Sequence, residues 1–357
     1  MLVSNSSPDA ASRAAIRLLK DWLPGASAVE GIPDLELSAR SEQPQLRSAE
    51  IVEGNTLRAI EVPDVTRTMV SGFGAFLDGA QKVRVIGRDA GVPLVLGTTS
   101  AAIRVRVDRR LVTWGRHAPM IAQKLYLPLR YLPTVAEALR ANNGREYAGD
   151  GKNGQAASYL LEASSRQLQQ FEVVDTSTAD ESGNFPSEHP AVLLERAIRA
   201  VDRQRDALED SLAEAWCASE LAPIFVDGGI SRSGPVANSP NAIGVIKSHF
   251  TLYVEGDALK TVVGLTRGER SSVFKVAPRS RSAVMSWYLR LRDPVGHDVF
   301  WGLVRIEMST CDNPTERADE ISRWALAEKS PLALPDGRWD KMSYGIRDAE
   351  EFLRAIS

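Results

Sequence analysis

The chain is poor in the residues that build several common kinds of site. Its 357 residues include two cysteines, Cys217 and Cys311, far apart and in no CxxC arrangement, and four histidines, His117, His189, His249 and His297, with no HExxH spacing. A disulfide framework, a structural zinc site and a zinc-hydrolase centre are therefore not expected. No GxxxxGK[ST] loop is present to cradle nucleotide phosphates, and no GxSxG turn to expose a nucleophilic serine. Apolar runs all fall short of the roughly 18 to 20 residues a membrane span needs. The opening MLVSNSSPDAASRAAIRLLKDWLPG is too polar for a signal peptide. The expectation is a cytoplasmic protein with no membrane partner. A large excess of one charge is missing too: 43 basic against 46 acidic residues leave a net charge of −3. Any contact with nucleic acid must then come from local basic strips or from a partner.

What is present reads as a soluble globular chain long enough for one large domain with insertions, or for two domains. Residues 1–65 read as an N-terminal arm: a short helix over 11–22, stopped by Pro24-Gly25, then a proline- and charge-rich stretch. Its expected role is dimerisation or contact with a partner. From Thr66 onward FGAFLDGAQ, KVRVIG, PLVLG and AAIRVRVD read as separate strands divided by Gly, Pro and Asp. A helical insertion is expected over about 117–190, ending in the polar loop DTSTADESGNFPSEHP. Leu194, Ile198, Val201, Leu208, Leu212 and Trp216 then recur at helical spacing and mark one long amphipathic helix. APIFVDGG, NAIGVIKSHFTLYV, ALKTVVGL, AVMSWYLRLR and VFWGLVRIEM form a second strand block, followed by the helical TERADEISRWALAE and RDAEEFLRAI. Strands, long helix, strands and terminal helices predict an α/β or α+β layered domain over 66–357.

Two strand ends look alike, Phe76-Leu77-Asp78-Gly79 and Phe225-Val226-Asp227-Gly228. Asp-Gly is a common hairpin turn. It also suits a strand that delivers a carboxylate while the glycine leaves room beside the backbone for a metal ion or phosphate. Two such carboxylates offer the hard oxygen ligands that Mg²⁺ or Mn²⁺ prefers. Glu209, on the long helix, can add a third, or can simply pair with Arg205 one turn before it. Lys247 in GVIKSH can hold a phosphate, or can be an edge-strand lysine that discourages aggregation. Arg104, Arg106, Arg109 and Arg110 cluster in one strip; Arg267, Arg270, Lys275, Arg279, Arg281, Arg290 and Arg292 form another. Such strips can track a phosphate backbone or form solvated strand faces matched to acids. Trp287, Tyr288 and Trp301 can stack on bases or fill the core.

The order of these features resembles the NurA family of nucleases: a strand with Asp-Gly, a helix with Arg205-x-x-x-Glu209, a second strand with Asp-Gly, then the strand Ile243-Gly244-Val245-Ile246-Lys247-Ser248. The resemblance covers roughly 66–357. It implies an RNase H-like mixed sheet flanked by helices, with Asp78, Glu209 and Asp227 as catalytic metal ligands for Mn²⁺ or Mg²⁺ and Lys247 beside them. Glu195 and Glu214 are rivals to Glu209. The resemblance further implies a DNA nuclease that processes or degrades ends, in repair or anti-phage defence, as a homodimer with a HerA-type hexameric ATPase. Arg104, Arg106, Arg267 and Arg270 are the DNA-binding candidates. Where the family carries a C-terminal tyrosine and histidine, this chain has Tyr344 and then acids, so either Glu351 or Asp348 completes the site or it works with fewer ligands. The competing readings are a NurA-like assembly subunit that has lost cleavage and an enzyme of small phosphorylated molecules.

Overall fold

The computed structural model describes residues 13–17, 19, 23, 25, 27–28, 44–66, 69–108, 110–143, 171–180, 182–277, 281–294, 297–329 and 339–356. Its frame is a mixed 14-stranded sheet flanked by helices, the mixed α/β arrangement expected from the sequence. The central strands are β1 (Ala75–Asp89), β2 (Val92–Val107), β3 (Met120–Leu127), β4 (Ile224–Asp227), β5 (Ala242–Ile246), β6 (Val284–Arg290) and β7 (Leu303–Met308). They lie in the order β6-β7-β5-β4-β1-β2-β3. β1, β2 and β3 form an antiparallel meander, β4 runs parallel to both β1 and β5, and β7 is antiparallel to β5. The helix α1 (Pro190–Ser219) connects the meander to β4, the long crossover that parallel strands require.

The four short strands expected over 75–107 are two long ones. Gly79, Gly87 and Gly97 lie inside them. The only turn is Ala90-Gly91, both at positive φ (46° and 89°), between the paired Asp89 and Val92. Such a two-residue connection matches the right-handed twist of a hairpin. Gly97 is glycine for another reason: a Cβ there would come within 2.6 Å of Val201 on α1.

Other expectations change similarly. Within the segment read as a helical insertion, Met120–Leu127 and Glu172–Asp175 are strands and Pro133–Asn143 is a helix, while 144–170 lie outside the described residues. MIAQKLYL is held as a strand by antiparallel pairing along Val95–Ala101, and its last three residues are all buried, a tertiary pairing that prevails over the helical reading. ALKTVVGL, expected as a strand, belongs to the helix Gly256–Gly264, which uses only Val262 as a fully buried anchor. The arm is partly built into the frame. Glu50–Ile51 and Ala59–Glu61 pair with Phe274–Val276 and Glu269–Ser271, and Ala15, Leu19 and Leu23 pack on Leu94, Leu96 and Leu125.

The long helix is the best-specified element. Pro190 occupies its first turn, and the His189 ring accepts from the Ala191 N–H at 3.2 Å. Its stripe of Leu208, Leu212 and Trp216 packs on Leu77 and Val226 from one face of the sheet. On the other face, α2 (Pro314–Glu328) and α3 (Tyr344–Ile356) cover Phe76, Phe225, Ile243 and Val245 with Ile321, Ala325 and Ile346. Gly345 lets α3 approach closely, because a Cβ there would overlap the Phe76 ring at 2.4 Å.

Candidate functional site

The register of β1, β4 and β5 assembles the site. Val226 pairs with Leu77 in parallel, so one further step brings Asp227 beside Asp78, and Asp227 is in turn opposite Val245. Side chains alternate along strands, so Asp78, Asp227 and Lys247 continue the face of Phe76, Phe225 and Val245. That face points toward α2 and α3. Neither Asp-Gly is a hairpin: β1 runs straight through Asp78-Gly79, and Asp227-Gly228 ends β4, with Gly228 at φ 136°.

Asp78 is 8% exposed, and its Oδ1 accepts from the Gly79 N–H at 2.8 Å. Burial, and then the charge of Asp227, push its pKa well above the usual carboxylate range; Lys247 opposes this, and Glu209 and Glu350 add to it. Lys247 Nζ donates to Asp227 Oδ2 at 2.8 Å and lies 3.9 Å from Met342 Sδ. The Lys247 carbonyl accepts from Lys341 Nζ at 3.1 Å. The lysine therefore points into the site and is not a free edge-strand charge.

Glu209 arrives from the opposite face of the sheet. A Cβ on Gly79 would stand 2.1 Å from Glu209 Oε1, so this glycine opens the strand to the incoming carboxylate. Arg205 Nε and Arg232 Nη2 each lie 3.4 Å from the Glu209 carboxylate, and both guanidiniums also hold Asp206. Burial outweighs the two arginines and raises the Glu209 pKa to about 7. The rival acids are engaged elsewhere, Glu195 with Arg199 at 2.5 Å and Glu214 with Ser233 Oγ at 2.6 Å. Glu209 is the one of the three that shares the electrostatic field of Asp78.

The C-terminal helix contributes an acid other than the two, Glu351 and Asp348, expected to complete the site. Glu351 is paired with Arg347 at 2.7 Å and largely exposed, Asp348 is bonded to Arg104 at 2.7 Å, and Tyr344 is 63% exposed. On this helix the acid whose charge raises Asp78 is instead Glu350, after Asp227 and Glu209 in size, mostly buried and held by Arg354 at 2.8 Å. Its signal was present in the helical period, since 350 follows the buried Ile346 by four and precedes the buried Leu353 by three.

Three of the four expected DNA-binding arginines are paired with carboxylates in the structure. Arg104 spans Asp348, Thr113 and the Leu111 carbonyl and lies over the Phe352 ring. Arg106 joins the Phe73 carbonyl to Glu328. Arg270 is fully buried between Glu53 at 2.6 Å and Asp319 at 2.5 Å. Each is committed to carboxylates and carbonyls that a phosphate would have to displace. Arg267 alone of the four is exposed. Arg279 lies outside the described residues. Trp287 and Tyr288 are core residues, bonded to Ser322 and the Tyr253 N–H.

Among the described residues, no three His, Cys, Asp or Glu side chains form a ready-made metal cage. The donor chemistry nonetheless fits a hard divalent ion. Mg²⁺ is commonly held by one or two carboxylates with water and substrate phosphate completing its shell. A buried Asp78 raised by a second aspartate is the imbalance such an ion would relieve. Among the described residues, no helix is long and apolar enough to cross a membrane.

No family model and no curated protein matches the chain. Among solved structures, it is similar to the crystal structure of the NurA nuclease from Sulfolobus solfataricus, at 9% identity and a TM-score of 0.35, covering 86% of this chain and 81% of that one. So distant a likeness carries no argument about the site, whose reading rests on the strand register and side-chain environments described above.

Proposed function

We propose that the chain is a divalent-metal-dependent nuclease that hydrolyses phosphodiester bonds in DNA. The observation that carries the reading is the side-by-side delivery of Asp78 and Asp227 by adjacent parallel strands, with Asp78 buried among like charges. Asp78 and Asp227 would hold Mn²⁺ or Mg²⁺, which activates water and stabilises the leaving oxygen when bound. Glu209, titrating near neutrality, is suited to take a proton at its carboxylate and return it. Lys247 is placed to exchange Asp227 for a phosphate oxygen and offset its charge.

The resemblance alone supplies the remaining parts of the reading: a homodimer that works with a HerA-type hexameric ATPase on DNA ends, in repair or anti-phage defence, while a cytoplasmic location is the expectation from the sequence. A second reading, an assembly subunit without cleavage, draws support from the pairing of Asp227 with Lys247 and of Glu209 with two arginines, which neutralises both acids without a metal. Digestion of linear DNA with Mn²⁺ separates the two. The nuclease reading expects hydrolysis by the parent and none by Asp78→Ala or Asp227→Ala; equal digestion by parent and variants, or none by any, removes it.

A further inference from the structure

We propose that the stacked rings of His297 and Trp301, with Arg267, Arg292 and Lys329 around them, bind an unpaired segment of a nucleic-acid strand and lead it toward the Asp78–Asp227 end of the sheet. This rests on the nuclease reading for its substrate class and deepens it.

The two rings lie 4.0 Å apart between centroids and 17° from parallel. His297 is exposed and Trp301 half-buried, so His297 presents the outer layer of the stack. Neither ring belongs to a buried apolar cluster of the described residues, unlike Trp287 and Tyr288. The backbone around the pair is set: His297 N–H donates to the Pro294 carbonyl at 2.8 Å, Phe300 N–H to Asp298 Oδ1 at 2.9 Å and Trp301 N–H to the Asp298 carbonyl at 2.9 Å. A preformed stack loses little freedom when a further flat ring is laid on it.

Cations gather at the chain neighbours of the stack, where Arg292 backs onto Gly302 and the Arg267 N–H bonds Asp293. Burial, then Arg267 and Arg292, hold the Lys329 ammonium below its ordinary range. Arg292 is likewise pushed down by burial and by Arg267, against the pull of Asp340. Arg267 is exposed, and its backbone N–H is tied to Asp293. Burial is the larger part of both shifts and Asp293 opposes the one at Lys329; the remainder is repulsion between neighbouring positive charges, which a phosphate backbone would relieve.

The patch is coupled to the site through a relay of hydrogen bonds. Gly302, next to Trp301, donates its N–H to Asp340 Oδ2 at 2.6 Å, while the adjacent Lys341 reaches the Lys247 carbonyl and Lys247 reaches Asp227. Rings for bases and cations for phosphates are the pairing that recognises single strands with little regard to sequence. A duplex interior offers no free base face, so the patch should favour unpaired strands.

The test is binding of a labelled oligothymidylate, measured by anisotropy in EDTA, for the parent, His297→Ala, Trp301→Leu and Arg267→Gln, with a duplex as comparison. Loss of the stack should weaken single-strand binding roughly 5- to 150-fold and leave duplex binding near the parent's. Arg267→Gln should flatten the salt dependence by about one phosphate contact. His297 is exposed, so its variant tests the stack without disturbing the core even if Trp301→Leu folds poorly. Parent-like oligonucleotide binding by His297→Ala, or equal weakening on single strand and duplex, overturns the proposal. A failure of the nuclease reading shows instead as absent digestion of linear DNA by the parent with its single-strand binding intact.

Discussion

Glu53 and Asp78 are almost equally buried carboxylates, 7% and 8% exposed, and their electrostatics are opposite. Burial pushes Glu53 up, but the Arg270 guanidinium and the Val273 N–H bonded to it hold its pKa below the ordinary value. Asp78 has no such clamp. Burial and Asp227 together raise it, and the nearest ammonium, Lys247, is bonded to Asp227 instead. Burial alone therefore does not mark a functional acid. The distinguishing feature is whether the fold supplies a compensating charge, as it does at the sheet edge and not at the strand ends in its centre.

The largest expected effects test that contrast in activity. Asp78→Ala and Asp227→Ala should each lower Mn²⁺-dependent hydrolysis of linear DNA by at least about a hundredfold, the scale of several kcal/mol of lost charge stabilisation. Mn²⁺ at about 100 times its Kd should raise the parent's stability by roughly 2.7 kcal/mol, and should leave both variants unmoved in thermal melts. On the structural side, Arg270→Ala strands Glu53 in the protein interior. It should cost about 3 to 5 kcal/mol by denaturant unfolding, whereas Asp78→Asn, which removes buried repulsion, should stabilise by on the order of 1 kcal/mol. Destabilisation of similar size by both would erase the distinction between clamped and unclamped acids.

A smaller effect separates the two classes by pH. The Glu209 pKa rises from 4.5 to about 7 in the folded chain, so the folded state binds more protons than the unfolded chain between these values. The stability contributed by the protonated carboxyl is complete below about 4.5 and is lost as pH climbs toward 7, by at most roughly 3 kcal/mol. Asp78 acts in the same direction. Glu53, lowered, acts oppositely: its contribution is present above the unfolded value and disappears on acidification. Unfolding curves of the parent and Glu209→Gln from pH 4 to 8 should therefore diverge, with the parent losing stability relative to the variant as pH rises. Parallel curves would mean that Arg205 and Arg232 keep Glu209 ionised throughout.

Local periodicity made part of this legible and left part hidden. The long helix, the apolar strands around Asp78 and Asp227 and the terminal helices carry their own patterns, so their order could be read from the chain. The convergence of Asp78 with Asp227 depended on a parallel register set by the whole sheet, and two short Asp-Gly motifs could only suggest it. Glycines misled wherever close approach rather than turning was their purpose: Gly79 admits Glu209 and Gly97 admits Val201. The arginine strips misled for a related reason. Charge along a strand is visible in sequence, while the carboxylates that consume Arg104, Arg106 and Arg270 come from Asp348, Glu328, Glu53 and Asp319, distant in the chain.

The finest test lies within one turn of α3, where neighbouring acids differ only in the direction they face. Glu350 follows the buried Ile346 by one helical turn and enters the field of Asp78, whereas Glu351 lies on the outer side, 61% exposed and paired with Arg347. Glu350→Gln should lower the apparent Mn²⁺ affinity severalfold, on the order of 1 kcal/mol, with folding preserved. Glu351→Gln removes only a surface i, i+4 pair, worth about 0.3 to 0.5 kcal/mol, and should leave Mn²⁺ affinity and hydrolysis at parent values. Metal titrations of the two variants that coincide, or an ordering reversed in favour of Glu351, would show that α3 covers the strand ends without contributing charge to them.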